Sequence, residues 1–116
     1  MAGSGRFRPS QRIRRRAEFQ QIYERGRRVR GQFSTFFVLP NRLAIGRLGI
    51  AATKKLGGAV ERNRAKRLIR EVFRRNNITS GLDVVVVPRR ELLEASLTAL
   101  EADYRVTFER HLRRQP

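Results

Sequence analysis

The stretch from Lys54 to Arg75 holds the densest set of side chains that could bind a polyanion. Read as a helix at about 100° per residue, it gathers its apolar side chains on one face. Asn63, Lys66, Arg67, Arg70 and Arg74 fall on a neighbouring arc about as wide. A continuous arc of this kind matches the spacing of successive phosphates better than scattered charges do.

Arg62 and Arg64 lie at the two edges of the apolar stripe of this stretch. Their stems can cover apolar surface while their charges reach solvent. The alternative interpretation is that the whole cationic arc is a solvated face without a partner. A face that only keeps a protein soluble would tolerate both signs of charge, so the uniform sign favours a binding surface.

The composition indicates a polyanionic partner. The chain has 116 residues, a formal net charge of +17 and 40% hydrophobic residues, which together predict one basic globular domain. Arginine greatly outnumbers lysine. Guanidinium groups pair bidentately with phosphate and stack on bases, so nucleic acid is favoured over an anionic membrane.

Several function classes find no support in the residues. Cysteine is absent, so disulfides and thiolate metal sites are excluded. His111 is the only histidine, so a zinc site would have to be built almost wholly from carboxylates, which the composition does not favour. The acidic residues are mostly interleaved with arginine rather than clustered, and neither the P-loop nor the dinucleotide pattern is present. We therefore predict no catalytic residue and no metal ligand. The N-terminus lacks an apolar h-region and no run could span a bilayer, so a cytoplasmic protein is expected.

Two segments precede the strands at the start of the chain. Met1 to Ser10 is basic and rich in glycine and proline, which predicts a mobile tail. Arg12 to Arg25 has helical spacing and ends at Gly26. Phe19 and Tyr23 stand one turn apart on this first helix, so they share a face. An aromatic pair of this kind either belongs to the core or stacks on bases, and the pattern leaves both open.

The strands come next. Arg27 to Arg30 predicts a short strand, and Phe33 to Leu39 a clearer one, with Phe33, Thr35, Phe37 and Leu39 on a core face and Ser34, Phe36 and Val38 on the other. Arg47 to Thr53 predicts a third strand, on which Gly49, Ala51 and Thr53 leave one face nearly bare. Such a face accommodates either a ligand or a closely packed helix, and this strand alone favours neither.

The remaining elements complete an α and β layer structure. The basic helix is predicted from Ala59 to Arg75, and the apolar run from Leu82 to Pro88 is typical of an interior strand. Ser96 is a plausible N-cap for a closing helix whose apolar positions are Leu97, Leu100, Tyr104, Phe108 and Leu112. Strand, helix and strand in sequence predict a parallel crossover, which is right-handed by the general rule.

One long motif carries a family resemblance. The residues Lys54-Lys55-x-Gly-x-Ala-Val-x-Arg-Asn-Arg-x-Lys-Arg-x-x-Arg-Glu resemble the signature of the bacterial ribonuclease P protein component. The resemblance extends to Arg14-Arg15-Arg16-x-x-Phe19-x-x-x-Tyr23 before the motif and to Asp83-Val84-Val85-Val86-Val87-Pro88-Arg89 after it, leaving out only the first nine residues.

The resemblance implies an α+β fold, an α/β sandwich of α-β-β-β-α-β-α order. It further implies a four-stranded mixed sheet and a left-handed β-α-β crossover around the basic helix, as in the ribosomal protein S5 domain 2-like fold. That handedness departs from the general rule and replaces it as our expectation. The domain organisation expected is a flexible basic tail at 1–10 and a single RNA-binding domain at 11–116.

The resemblance also implies a function. In this family a catalytic RNA that uses Mg²⁺ removes the 5′ leader of precursor tRNA, and the protein is its accessory subunit, otherwise monomeric. The implied leader-binding residues are Phe19, Tyr23, Phe36 and Thr53, with Asn63, Lys66 and Arg70 beside them. The remaining RNA-binding residues implied are Lys54, Lys55, Arg62, Arg64 and Arg67.

Two departures from the family pattern are visible. Ala51 and Thr53 lie where relatives often carry serine, so a hydroxyl contact at Ala51 is lost. Tyr23 lies where many relatives carry phenylalanine, which keeps the ring and adds a hydroxyl.

Two alternatives to the function implied by the resemblance stay open. They are a structural RNA-binding protein of the ribosome and an autonomous metal nuclease.

Overall fold

The computed structural model describes residues 9–76 and 79–113, with side chains described as far as residue 111. Most of the predicted tail at 1–10, and the predicted packing of Leu112, lie outside these described parts. Of the tail, Pro9 and Ser10 are described, and they begin a short 3₁₀ helix, Pro9–Gln11.

The observed element order confirms the predicted α-β-β-β-α-β-α order. The elements are α1 (Arg16–Arg25), β1 (Arg27–Arg30), β2 (Ser34–Pro40), β3 (Arg47–Ile50), α2 (Ala59–Arg75), β4 (Leu82–Pro88) and α3 (Leu97–Arg113). A 3₁₀ helix, Arg90–Glu94, lies between β4 and α3. The predicted N-cap of α3 is confirmed, because the Ser96 hydroxyl accepts a hydrogen bond from the Ala99 N–H at 3.1 Å.

The first helix begins four residues later than predicted, because the segment before it joins the sheet. Arg12 forms a parallel bridge with Leu48 of β3. The Ile13 N–H donates to the Leu48 carbonyl oxygen at 2.8 Å, so this backbone is committed to the sheet rather than to a helix. The prediction that helix begins at Arg12 is therefore wrong, and the error matters because Arg12 now lies beside β3.

The four strands form a mixed sheet in the order β1-β2-β4-β3. β1 and β4 pair antiparallel with β2, and β3 pairs parallel with β4. The prediction of an interior strand is confirmed, since β4 lies between β2 and β3 and Val84 and Val85 are 0% exposed. The strands joined through α2 are adjacent and parallel. The left-handed sense of that connection stays a prediction.

Helices cover both faces of this sheet, because β2 and β4 send apolar side chains in both directions. One face packs against α2 and α3 through Val38, Val84 and Val86, among others. The other face packs against α1 through Val85, Leu39 and other side chains around the buried Ile22. Alternate residues of β4 therefore belong to two different cores.

The resemblance implies that Phe36 binds the leader together with Phe19 and Tyr23 of α1, but this register places Phe36 on the other face of the sheet. Phe36 is 4% exposed and points to the α2 and α3 side. Its ring centroid lies 5.4 Å from that of Phe108 and 6.0 Å from that of Tyr104. The next residue, Phe37, points to the α1 side instead, because successive strand residues face opposite ways.

The single histidine lies in the core beside this aromatic cluster. His111 is 2% exposed, and its pKa is lowered from the ordinary value of 6.5, first by burial and then by the nearby charge of Arg27. The unfolded chain therefore binds a proton in a pH range where the folded chain does not. Stability supplied by neutral His111 is complete above about pH 6.5 and is lost as pH falls towards the lowered folded-state pKa.

We therefore expect the free energy of unfolding to fall as pH is lowered from about 7.5 to 5.5, measured by urea unfolding. The variant His111→Gln should lose that dependence in this range. The pKa values of Glu18 and Glu71 are lowered from 4.5, so these carboxyl groups titrate below this pH range and do not contribute to the change in stability measured here. Equal pH dependence in the two proteins would show that another group titrates.

Candidate nucleic-acid interface

The start of α2 presents the basic motif from a well-defined backbone. Gly57 has a φ of 147°, a backbone conformation that residues other than glycine rarely adopt. The Gly58 N–H donates to Glu61 Oε1 at 3.0 Å, which satisfies a backbone donor at the helix start. Glu61 also places a negative charge at the positive end of the helix dipole. The motif therefore begins at a capped helix end.

The structure divides the predicted basic residues into two groups. Arg62, Lys66 and Arg70 are spaced four residues apart and are half-buried along the side of α2. The exposed group consists of Asn63, Arg64 and Arg67 on the helix and Lys54 and Lys55 in the turn before it. The exposed group can meet a flat RNA surface, whereas the half-buried group is held beside the protein.

Two members of the half-buried group, Lys66 and Arg70, line a cationic cavity of about 150 Å³. Its lining consists of four cations and three apolar side chains: Arg12, Arg14, Lys66, Arg70, Ile13, Leu48 and Ile50. Since a water molecule takes about 30 Å³, the cavity has room for a phosphate group with some water. The segment before α1 thus contributes two cations to a site on α2.

The electrostatics of this cavity favour an anion. Burial lowers the pKa of Arg70, and the nearby charge of Arg12 lowers it further, while a guanidinium remains protonated in proteins. Positive charges brought together at partly buried positions repel each other. An anion between them would reduce that repulsion.

The second surface is aromatic and lies on the α1 face of the sheet. The rings of Phe19 and Tyr23 lie 6.3 Å apart, and the ring of Tyr23 meets that of Phe37 edge to face at 4.9 Å. Tyr23 is 37% exposed, while Phe19 and Phe37 are half-buried. Burial raises the pKa of Tyr23, so its hydroxyl stays protonated. This surface offers ring faces and edges to which unpaired bases could stack.

The bare face of β3 is explained by Phe19. A Cβ added to Gly49 would lie 2.8 Å from Phe19 Cζ and 3.1 Å from Ile13 Cβ. Of the two interpretations of that face, close packing of a helix therefore holds at Gly49. Farther along, Ala51 is partly buried in the same cluster and Thr53 is exposed. The open part of this face begins only beyond the ring of Phe19.

An ion-pair network holds α1 on the sheet. Arg47 Nη2 of β3 donates to Glu18 Oε2 of α1 at 2.7 Å. Arg47 Nε lies 3.3 Å from Asp83 Oδ1 of β4. The hydrogen bond from Arg47 is the largest cause of the lowered pKa of Glu18. The network fixes the position of the helix that carries Phe19 and Tyr23.

The two surfaces lie on opposite faces of the sheet and meet at the β3 edge. The sequence predicted the basic helix as a wall beside the aromatic residues, but α2 and α1 are separated by the sheet. The residues that join them are Arg12 and Arg14, from the segment that pairs with β3. Sequence reasoning missed both, and also Phe37. The high density of arginines before Phe19 is the sequence feature that could have indicated Arg12 and Arg14 as binding residues.

In the parts of the chain that the structure describes, no group of three or more His, Cys, Asp or Glu side chains is placed to hold a metal ion. In the same parts of the chain, no helix is long and apolar enough to cross a membrane.

A mixed α+β sheet that carries a cationic helix and a separate aromatic surface defines a small RNA-binding protein. The family model for ribonuclease P matches residues 7–112. The chain belongs to the family of bacterial ribonuclease P protein components, which act in tRNA 5′ processing.

Individual relatives agree with this assignment. The ribonuclease P protein component of Caldanaerobacter subterraneus is 37% identical, covering 77% of this chain and 78% of that protein. The one from Syntrophus aciditrophicus is 45% identical, covering 69% of each. The solved RNase P protein of Staphylococcus aureus aligns with a TM-score of 0.75 and 31% identity over 85% of this chain and 93% of that one. The Thermotoga maritima protein aligns with a TM-score of 0.73 and 33% identity, over 80% and 90%.

The packing of Phe19 on Gly49 yields a testable prediction. Gly49→Ala adds a methyl group that forces the Phe19 ring to move, which should cost about 1 to 3 kcal/mol of stability. The displaced ring should also weaken binding of RNA that carries a single-stranded extension. Urea unfolding and fluorescence anisotropy measure the two effects.

The matched control is Gly58→Ala, because the neighbour there is the flexible end of the Glu61 side chain, at 3.2 Å. It should have a smaller effect on both measurements. If Gly49→Ala binds such RNA as tightly as the unchanged protein does, the position of the Phe19 ring is unimportant for binding.

Proposed function

We propose that this protein binds the single-stranded 5′ leader of precursor tRNA and the catalytic RNA of ribonuclease P at the same time. The single observation that carries the proposal is the pairing of a phosphate-sized cationic cavity with an exposed aromatic surface across the β3 edge. A single strand that follows this edge would meet both ring faces for its bases and cations for its phosphates.

The two groups of cations on α2 suggest a division of labour. The half-buried Lys66 and Arg70, with Arg12 and Arg14, would hold a leader phosphate at the β3 edge. The exposed Arg64 and Arg67 are not among the residues that line that cavity, and they would contact the catalytic RNA. Base contacts of the leader would fall to Phe19, Tyr23 and Phe37, with Thr53 at the end of the track.

The protein would act as an accessory subunit and not cut the RNA itself. Cleavage would belong to the catalytic RNA, which would also hold the Mg²⁺ ions, in the cytoplasm where tRNA is made. The contribution of this chain would be to position the leader and to neutralise phosphates. Neutralised phosphates lower the repulsion between the two RNA molecules, so less Mg²⁺ should be needed.

Reconstitution with a bacterial ribonuclease P RNA at low Mg²⁺ tests the proposal. The protein should stimulate 5′ cleavage of precursor tRNA and should bind precursor tRNA in the complex more tightly than mature tRNA. Phe19→Ala should remove most of that preference, whereas Arg67→Ala should weaken binding of the catalytic RNA.

Absence of stimulation would overturn the proposal. Cosedimentation with ribosomal subunits and no preference for a leader would favour the structural ribosomal alternative. Cleavage by the protein without RNA would favour an autonomous nuclease.

A further inference from the structure

A second cationic groove lies at the opposite edge of the sheet from β3. It has a volume of about 210 Å³ and lies between β1 and the C-terminal part of α3. Its lining consists of four arginines, one histidine and one apolar side chain: Arg27, Arg28, Arg30, Arg110, His111 and Val29. This groove belongs to neither of the surfaces described above.

The arginines of this groove are available to a partner. Arg27, Arg28, Arg30 and Arg110 are all exposed. Among the described residues, the arginines found in ion pairs are Arg47, Arg74 and Arg75, which lie elsewhere. Within the described part of the chain, no carboxylate lines the groove. A group of like charges collected at a concave edge raises the local potential and attracts a polyanion.

The groove is separated from the basic helix by α3 and lies at the other edge of the sheet from β3. β1 and β3 are the two edge strands of the sheet, so they are separated by three strand spacings, or about 14 Å. α3 packs against both α2 and β1, and it therefore lies between the two cationic surfaces. A strand bound along α2 would have to cross α3 to reach this groove.

We propose that the groove between β1 and α3 binds the phosphodiester backbone of a helical segment of RNA, separate from the segment that α2 contacts. The one aromatic ring in the lining, that of His111, is 2% exposed, so the groove lacks the open stacking platform that an unpaired strand would use. Contacts from arginine to phosphate are the usual way to hold an RNA helix, whose base edges are poorly accessible. The proposal takes the identity of the RNA, the catalytic RNA, from the proposed function.

Salt dependence of binding to the catalytic RNA alone, without precursor tRNA, tests the groove. Arg27→Gln with Arg110→Gln removes two phosphate contacts, which should lower the slope of log affinity against log salt by about 1.4 to 1.8. Between 50 and 200 mM salt, the affinity of the unchanged protein should then fall about 7- to 12-fold more than that of the variant.

The matched control is Arg42→Gln with Arg90→Gln, which removes the same charge from exposed positions outside both surfaces. It should leave most of the slope in place. Equal loss in the two double variants would show that only net charge matters and would overturn the proposal. Arg30→Gln with Arg110→Gln keeps Arg27 beside His111, and it replaces the first variant if that one fails to fold.

A tethered probe locates the contact. Because the chain has no cysteine, a single cysteine introduced by Arg28→Cys or by Arg67→Cys can carry an iron chelate that cuts nearby RNA. The Arg28→Cys probe should cut a helical segment that the Arg67→Cys probe does not. The proposal would be overturned if the Arg28→Cys probe cut no RNA, or if it cut at the same nucleotides as the Arg67→Cys probe.

The two proposals fail separately. If the β1 probe cuts the RNA but the protein does not stimulate leader removal, only the proposed function fails. If the protein stimulates leader removal normally and the β1 probe leaves the RNA intact, only the proposal for the groove fails.

Discussion

Phe36→Ala is expected to lower the free energy of unfolding by about 3 to 5 kcal/mol, a large part of the stability of a small domain. The reason is its position: Phe36 is 4% exposed and packs edge to face against Tyr104 and Phe108. Removing the ring leaves a cavity between the sheet and α3 that its rigid neighbours cannot fill. The leader preference of the folded fraction should remain.

The matched variant is Phe37→Ala, one residue along the same strand. Its ring is half-buried on the α1 face, so the loss of stability should be smaller. The loss of leader binding should be larger, about 1 to 3 kcal/mol for one stacked base. Urea unfolding gives the first quantity, and competition between precursor and mature tRNA gives the second.

This pair decides which face of β2 meets RNA. If Phe36→Ala folds normally but loses the leader preference, the register of β2 is shifted by one residue from that observed. Loss of the preference in neither variant would place the leader away from β2.

Lys66→Gln with Arg70→Gln is expected to have the largest effect on binding. Both side chains line the cationic cavity, where an anion would be held by charge-assisted hydrogen bonds worth about 1.5 to 3 kcal/mol each. Allowing for contacts that remain with Arg12 and Arg14, the affinity for leader-bearing RNA should fall about 10- to 100-fold. The salt slope should fall by about 1.4 to 1.8 for two contacts.

Inorganic phosphate supplies a readout that does not depend on RNA. If the cavity binds it, phosphate should raise the unfolding midpoint of the unchanged protein by mass action, and the double variant should lose that effect. Arg42→Gln with Arg90→Gln again serves as the charge-matched control. A phosphate effect of equal size in the double variant would show that the anion binds elsewhere.

The order of elements could be predicted from the sequence because each depends on local periodicity. The predicted bounds of α2 and β4 agree with the observed ones, since a long amphipathic helix and a continuous valine run each satisfy one pattern only. The start of α1 could not be predicted in this way. The arginines before it suit a helix locally, and the hydrogen bond from Ile13 to Leu48, 35 residues away, overrides that preference.

The features of the candidate site also fall into those that the sequence alone determines and those that depend on the tertiary structure. Charge, arginine content and the motif from Lys54 to Glu71 belong to the amino-acid sequence alone, and they suffice for a polyanion-binding helix and for the family. The face of β2 that meets α1 was decided by pairing with β4, because both sides of β2 are apolar and its alternation marks neither as the outer one. For the same reason only the folded chain shows that Arg12 and Arg14 join Lys66 and Arg70, since residues far apart in sequence meet through a bridge between two backbones.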